Sequence, residues 1–378
     1  MFNTDLDALI PMLCVTLTAL ATLGTEAFRG RAERLPMGWW GLIGLGGAAL
    51  SAALLWNRNV VGYGVIVADN FGLFVTFILV VVGALTIMFS SQVVYRDGIP
   101  AGEYYALVLF SIVGMIMMAT ATDLLVIFIA LEILSLAVYV LTGVRRESAK
   151  GIEGAFKYFL LGAFSSAFFL YGIAFTYGVA GSTRLEAVGS FLSAQALSDN
   201  PMILLAVGLL LVGFAFKISA VPFHMWTPDA YEGAPAIVTG FMSTGVKVAA
   251  FAAFTRVFLS AFEPFSGDWA PLVAWVAAAT QATSGPQSVL NGSNAERNTR
   301  VNAANAATFT PVDMKPVTIA GAPSYASGVH MWNGTAEILK AKPTSSRPTA
   351  SRIIGLSLSA CAERNDPTAS SRVLPATP

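Results

Sequence analysis

Five side chains in this sequence stand where ordinary packing does not require them: Glu132, Lys157, Lys217, His224 and Lys247. Glu132 lies in the apolar run VIFIALEILSLAVYVL and is the tenth residue of the span predicted at 123–144. At 1.5 Å per helical residue it is about 15 Å deep in a bilayer, near the midplane. Lys217 ends an apolar helix of roughly 17 residues, and Pro222 breaks the pattern just after it. Lys247 is about twelve residues into the next apolar run, a similar depth on the same helical rise. A charged side chain at the bilayer centre costs on the order of 2.5–3.5 kcal/mol on insertion scales. Hydrocarbon disfavours the charged form of any titratable group, and a nearby opposite charge restores it. Isolated titratable groups held in this way suit the stepwise transfer of protons. A structural ion pair inside a bundle is the competing reading of Glu132.

The remaining candidates carry closer alternatives. Lys157 stands only a turn or so inside its helix, where it can snorkel to the interface, and Glu153 can pair with it at i,i+4. His224 can relay protons near neutrality or hydrogen-bond the carbonyls freed by the proline break. Asp229 and Glu232, in WTPDAYEGAP, read as loop-ordering groups, and Met115, Met117 and Met118 as packing residues. No glycine-rich phosphate loop, Ser/His/Asp set or CxxC is present, and two cysteines with two histidines offer no spacing for a structural metal, haem or iron–sulfur cluster. The chain is therefore expected to bind no cofactor of its own.

These residues need apolar helices to carry them. The chain has 378 residues, 55% hydrophobic and 12% charged, against roughly 25% charged in soluble domains. An all-α polytopic membrane protein follows. Net charge is zero, which argues against polyanion binding. Predicted spans are 6–23, 37–56, 68–89, 104–121, 123–144, 155–179, 201–221 (broken), 236–260 and an incomplete one at 270–282. Thr122 or Asp123 can cap the fifth. Small residues at 162–167 permit close helix approach in the sixth. The loops after spans one, three and five hold Arg29, Arg31, Arg34, Arg96, Arg145, Arg146 and Lys150, whereas those after two, four and six hold only Arg58 and Arg184. Basic loops face the cytoplasm, so the N-terminus is expected outside. The acidic MFNTDLD opening fits a first membrane helix rather than a cleaved signal peptide.

Residues 283–378 are rich in Ser, Thr, Ala, Asn and Pro and contain no spanning run. The composition changes inside a helix, near Gln281, so a shifted reading frame or mis-joined sequence is the expectation there, with an authentic irregular tail as the alternative.

LEILSLAVYVL, EGAFKYFLLGAFSSAFFLYG, FKISAVPFHMWTPDAYEGAP and STGVKVAAF resemble the antiporter-like membrane subunits of respiratory complex I, the proton-translocating NADH:quinone oxidoreductase. WTPDAYEGAP is similar to the subunit N branch in particular. The resemblance covers about residues 1–282. It implies the first eight or nine helices of a fourteen-helix fold with two inverted five-helix repeats, each containing a broken helix, and a proton path along a central line of charged residues. It further implies Glu132 as the carboxylate facing a neighbouring subunit, Lys157 and Lys217 as the modulating and central lysines of the first half-channel, and Lys247 as the link towards the second. NADH, FMN, iron–sulfur clusters and quinone would belong to other subunits, the partners would be other complex I membrane subunits, and the location a bacterial inner membrane with a periplasmic N-terminus. The second broken helix, with its lysine, has no match after residue 282. Two other readings compete: an Mrp-type cation/proton antiporter subunit, and a non-pumping structural membrane subunit.

Overall fold

In the computed structural model the chain is described over residues 5–28, 37–194 and 200–284. Arg29, Arg31, Arg34, His330, Cys361 and nearly all of the expected tail lie outside the described residues. Within them, eight helices are long and apolar enough to cross a membrane. They are α1 (Ile10–Phe28, preceded by a 3-10 turn), α2 (Gly38–Leu55), α3 (Asn70–Arg96), α4 (Ala101–Thr120), α5 (Leu124–Thr142), α6 (Ala149–Ala180), α8 (Pro201–Ile218) and a span at Ala236–Ser260. That last span is α10 (Ala236–Phe241), a π-helical turn at Met242–Val246, and α11 (Lys247–Ser260). The expected incomplete ninth run is α12, Ser266–Ser284. The multi-pass all-α expectation holds, and each predicted span coincides with a helix.

Three elements were not anticipated. A two-stranded antiparallel hairpin, β1 (Val60–Gly62) and β2 (Ile66–Ala68), pairs Val60 with Ala68 and Gly62 with Ile66. Its turn uses Gly64 at φ +69°, where a side chain would be strained, and Arg184 donates to the Gly64 carbonyl at 2.6 Å. The short helices α7 (Leu185–Ala194) and α9 (Thr227–Gly233) complete the fold.

Helix ends follow local chemistry. Asp123 caps α5, accepting from the Leu125 amide at 2.8 Å, and its second oxygen accepts from Thr183 Oγ1 at 2.7 Å. One carboxylate thus joins the start of α5 to the segment after α6. Asn200, followed by Pro201, caps α8, and Ser148 caps α6. α4 is the most enclosed span, packed by α1, α3, α5 and α11. A Cβ at Gly114 would sit 2.6 Å from the Leu134 nitrogen, so only glycine lets α4 and α5 approach this closely. This contact seats the α5 segment that carries Glu132.

Charged loop residues gather at one end of the bundle. Asp97, the C-cap of α3, accepts from Arg96 Nε at 2.9 Å and pairs with Arg145, while Arg146 pairs with Glu103 at 3.3 Å. The hydrogen bond from Arg96, with Arg145 adding to it, holds the Asp97 carboxyl below the usual carboxylate value, and partial burial opposes the shift. A carboxyl depressed in the folded state adds stability above its unfolded pKa, and that stability fades as pH falls through the folded one. Asp97→Asn should therefore lower the unfolding midpoint of the detergent-solubilised protein at pH 7. The gap between variant and parent should shrink as pH is lowered below about 4, the ordinary aspartate value. Tryptophan fluorescence over that range measures it, and a gap independent of pH would contradict the assignment.

Candidate functional site

α8 delivers Lys217 one residue before its end, with 2% of the residue exposed. Among the described residues its ammonium makes no hydrogen bond. It lies instead among aromatic faces: 5.2 Å from the Tyr139 ring centre, 5.6 Å from Tyr158 and 5.8 Å from Phe216. Ring quadrupoles attract a cation at such distances, yet they accept and return no proton. A group held this way can be charged or neutral according to what else approaches it.

Glu132 approaches it indirectly. Leu131, Ser165, Ser166, Phe169, Gly213, Phe216 and Lys217 line a narrow crevice between α5, α6 and α8 with no room for a water molecule. Ser166 is one wall of that crevice, and its hydroxyl donates a short hydrogen bond to Glu132 Oε1. The serine that bonds Glu132 and the ammonium of Lys217 thus share one crevice, and among the described residues the two charges form no ion pair. The competing reading of Glu132, a structural ion pair, has no such pair behind it among the described residues.

The helix break is built from α8's own loose end. Ser219 takes the left-handed conformation (φ +66°), and the Ala220 amide reaches back to the Ala215 carbonyl at 2.8 Å. The Phe216 carbonyl accepts from Trp226 Nε1 at 3.2 Å. Trp226, not His224, therefore satisfies a carbonyl freed by the break. His224 is half-buried, and its Nδ1 is enclosed with no partner. Among the described residues Nδ1 bonds none of the carbonyls at the break.

Lys247 comes directly after the π turn. An extra residue in a helical turn rotates everything beyond it by about 100° relative to an unbroken α-helix. That rotation buries Lys247 (3% exposed) with its ammonium 5.8 Å from the Tyr231 ring centre. Tyr231 belongs to α9, the short helix that also begins beside Trp226. α9 thereby spans the distance between the surroundings of the two lysines.

Among the described residues, seven buried polar atoms in this region make no hydrogen bond: the Tyr139, Tyr158 and Tyr231 hydroxyls, Lys217 Nζ, Ser219 Oγ, His224 Nδ1 and Thr227 Oγ1. Folded proteins leave few such atoms unsatisfied by protein or ordered water. These atoms cluster around Lys217, the helix break and α9, in an otherwise apolar core.

Lys157 is placed differently. It is 43% exposed and pairs with Glu153 at 2.7 Å, as the i,i+4 spacing suggested, and with Asp229 at 2.8 Å. It does not line the crevice. Lys150 pairs with Glu232 at 2.8 Å, so both acids of the DAYEG segment form ion pairs to α6. Met115 and Met118 are buried packing residues. Among the described residues no group of three His, Cys, Asp or Glu side chains is placed to hold a metal.

Sequence reasoning overlooked Ser166 and the aromatic set of Tyr139, Tyr158, Trp226 and Tyr231. Trp226 and Tyr158 stack face to face, 4.0 Å apart and 7° from parallel. A signal was available: three tyrosines placed within or beside apolar spans bring hydroxyls that need partners.

Residues 121–285, which contain all of these groups, match the family described as NADH:quinone oxidoreductase/Mrp antiporter, TM. NADH-quinone oxidoreductase subunit N of Trichlorobacter lovleyi is 41% identical over 299 residues, covering 79% of this chain and 61% of the relative. A chain of respiratory complex I from Thermus thermophilus superimposes with a TM-score of 0.63 at 31% identity, covering 78% of this chain and 62% of that one. The Mrp complex of a Dietzia species shares the fold (TM-score 0.63, 22% identity, covering 81% and 60%). The chain spans about three fifths of the length of its subunit N relative. With buried lysines on either side of a helix break, the chain has the antiporter-like fold and is similar to the membrane subunits named in these matches, subunit N among them.

Proposed function

We propose that this chain is a proton-translocating membrane subunit of an NADH:quinone oxidoreductase and that Glu132, Lys217, His224 and Lys247 carry its proton path. The observation that bears most weight is Lys217: a buried ammonium that makes no hydrogen bond among the described residues and shares its crevice with Ser166, the serine that bonds Glu132. Electron transfer in neighbouring subunits changes the charge at Glu132. Through the short Ser166 contact and low-dielectric surroundings, that change alters how readily Lys217 holds its proton. The released proton moves along the hydroxyls and His224 beside the break towards Lys247. Redox centres, NADH and quinone belong to partner subunits, and other complex I membrane subunits are the neighbours this chain contacts.

Orientation belongs to the same proposal. Arg96, Arg145, Arg146 and Lys150 mark the cytoplasmic end of a bacterial inner-membrane protein with its N-terminus on the periplasmic side. Each proton moved outward works against about 2.3 kcal/mol per 100 mV, so an external redox drive is required.

Glu132→Gln keeps the hydrogen bond to Ser166 and removes the charge. In inside-out membrane vesicles carrying the assembled complex, it should cut NADH-driven proton uptake several-fold with the amount of assembled complex unchanged. Full uptake in this variant would refute the coupling role. Mrp-type exchange is the second reading, supported by the shared fold. It predicts sodium-driven proton movement without NADH and purification free of NADH dehydrogenase activity.

A further inference from the structure

α9 has seven residues, too few to be stable as an isolated helix, so its position depends on what it touches. Its buried side contributes to that cluster of polar atoms. Trp226, at its N-cap, stacks on Tyr158 and bonds the Phe216 carbonyl, and Tyr231 lies under Lys247. Its wet side is fastened to α6 by the pairs Lys157–Asp229 and Lys150–Glu232, whose side chains are 43% to 69% exposed. Ion pairs this exposed are individually weak and part easily. The backbones beneath them are in direct contact. A Cβ at Gly154 would meet the Asp229 carbonyl at 2.6 Å, and one at Gly233 would meet the Lys150 carbonyl at 2.5 Å. A tight fit held by weak outer fastenings suits a segment that releases and reseats as a unit.

We propose that α9 is a plug over the passage joining Lys217 to Lys247, latched to α6 by Lys157–Asp229 and Lys150–Glu232, and that Lys157 is a positioning residue acting through Asp229 rather than a proton carrier. The proposal rests on the proton-path reading of Lys217. Lys157 has its ammonium committed to two carboxylates and takes no part in lining the crevice, whereas the residue beside it, Tyr158, does face Lys217. Parting the latch lets α9 move off α6 and opens the passage to the aqueous face that bears Lys150. Reforming it closes the passage.

The test uses vesicles carrying the assembled complex and four variants: Lys157→Gln, Asp229→Asn, Lys157→Arg, and the exchanged pair Lys157→Asp with Asp229→Lys. Both neutral variants should lower NADH-driven proton transport several-fold. The arginine variant and the exchanged pair should recover most of it, which a proton-carrying lysine does not allow for the exchanged pair. Independently, Ser219→Cys, with Cys14 and Cys361 changed to serine, reports access to the passage. A membrane-impermeant maleimide applied from the Lys150 face should label it several-fold faster when Asp229→Asn is added. An exchanged pair as inactive as Lys157→Gln, or a labelling rate unmoved by Asp229→Asn, overturns the latch. Failure of the underlying reading looks different: Lys217→Ala would then transport normally, while labelling could still respond to Asp229→Asn.

Discussion

Lys217→Ala should reduce NADH-driven proton transport by at least about tenfold, equivalent to about 1.4 kcal/mol or more on the limiting step. The size of the loss follows from the surroundings. The lysine is 2% exposed with three aromatic rings around it and no second titratable side chain lining its crevice. No other side chain lining the crevice replaces it as the group that holds the proton there. Alanine also leaves a cavity, so a packing effect must be separated from a chemical one. Lys217→Met fills most of the volume without titrating, and Lys217→Arg keeps the charge but does not release a proton at physiological pH. All three should fail in transport if exchange is the function. If the lysine were structural, methionine should preserve activity. Dye-reported acidification with NADH oxidation measured in parallel makes the comparison, and transport at the parental rate in the alanine variant would defeat the proposed function.

The second large effect concerns stability. Arg256, on α11, sends two nitrogens to the Asp69 carboxylate at 2.8 and 3.1 Å and a third to the Ala119 carbonyl at 3.0 Å. Its guanidinium lies 5.2 Å from the Phe71 ring centre, and its side chain is only 9% exposed. One residue thereby joins the start of α3, the end of α4 and the last turns of α11. Arg256→Met strands a carboxylate and a helix-terminal carbonyl. Breaking a buried pair by removing one partner costs about 3–5 kcal/mol, and the partial exposure of Asp69 lowers the expectation to about 2–4 kcal/mol. Arg256→Lys should recover only part, because a point charge does not reproduce the fork. Adding Asp69→Asn to Arg256→Met should reduce the loss by removing the stranded charge. Chemical unfolding in detergent gives these differences, and a change under about 0.5 kcal/mol, the size usual at an unremarkable surface position, would show the contact to be idle.

The spans were legible because a bilayer demands long apolar runs, and periodicity is then hardly needed. Asp123 was legible for a similar reason, since a carboxylate just before an apolar run has orphan amides within reach. Glu132, Lys217 and Lys247 were visible as costly residues in hydrocarbon, which tells where charge is tolerated but not what tolerates it. That answer required distant contacts. Asp229 reaches Lys157 across 72 positions and Asp69 reaches Arg256 across 187, and no local pattern encodes either. The hairpin at Val60–Ala68 escaped notice because three-residue strands look like the margins of their neighbouring spans. His224 was noticed for its chemistry, while Trp226, two residues on, performs the capping first imagined for it.

α6 is the longest of the eight spans, yet only a third of its most apolar window is covered by the rest of the chain. It supplies Tyr158 and Ser165 to the interior and turns Phe156, Phe164 and Tyr171 outward. Lys217 is therefore deep by chemistry but shallow by architecture: one helix diameter, about 10 Å, is all that stands between it and the world beside α6. Any body resting on that flank, acyl chain or protein, can press on the crevice without a relay through the core.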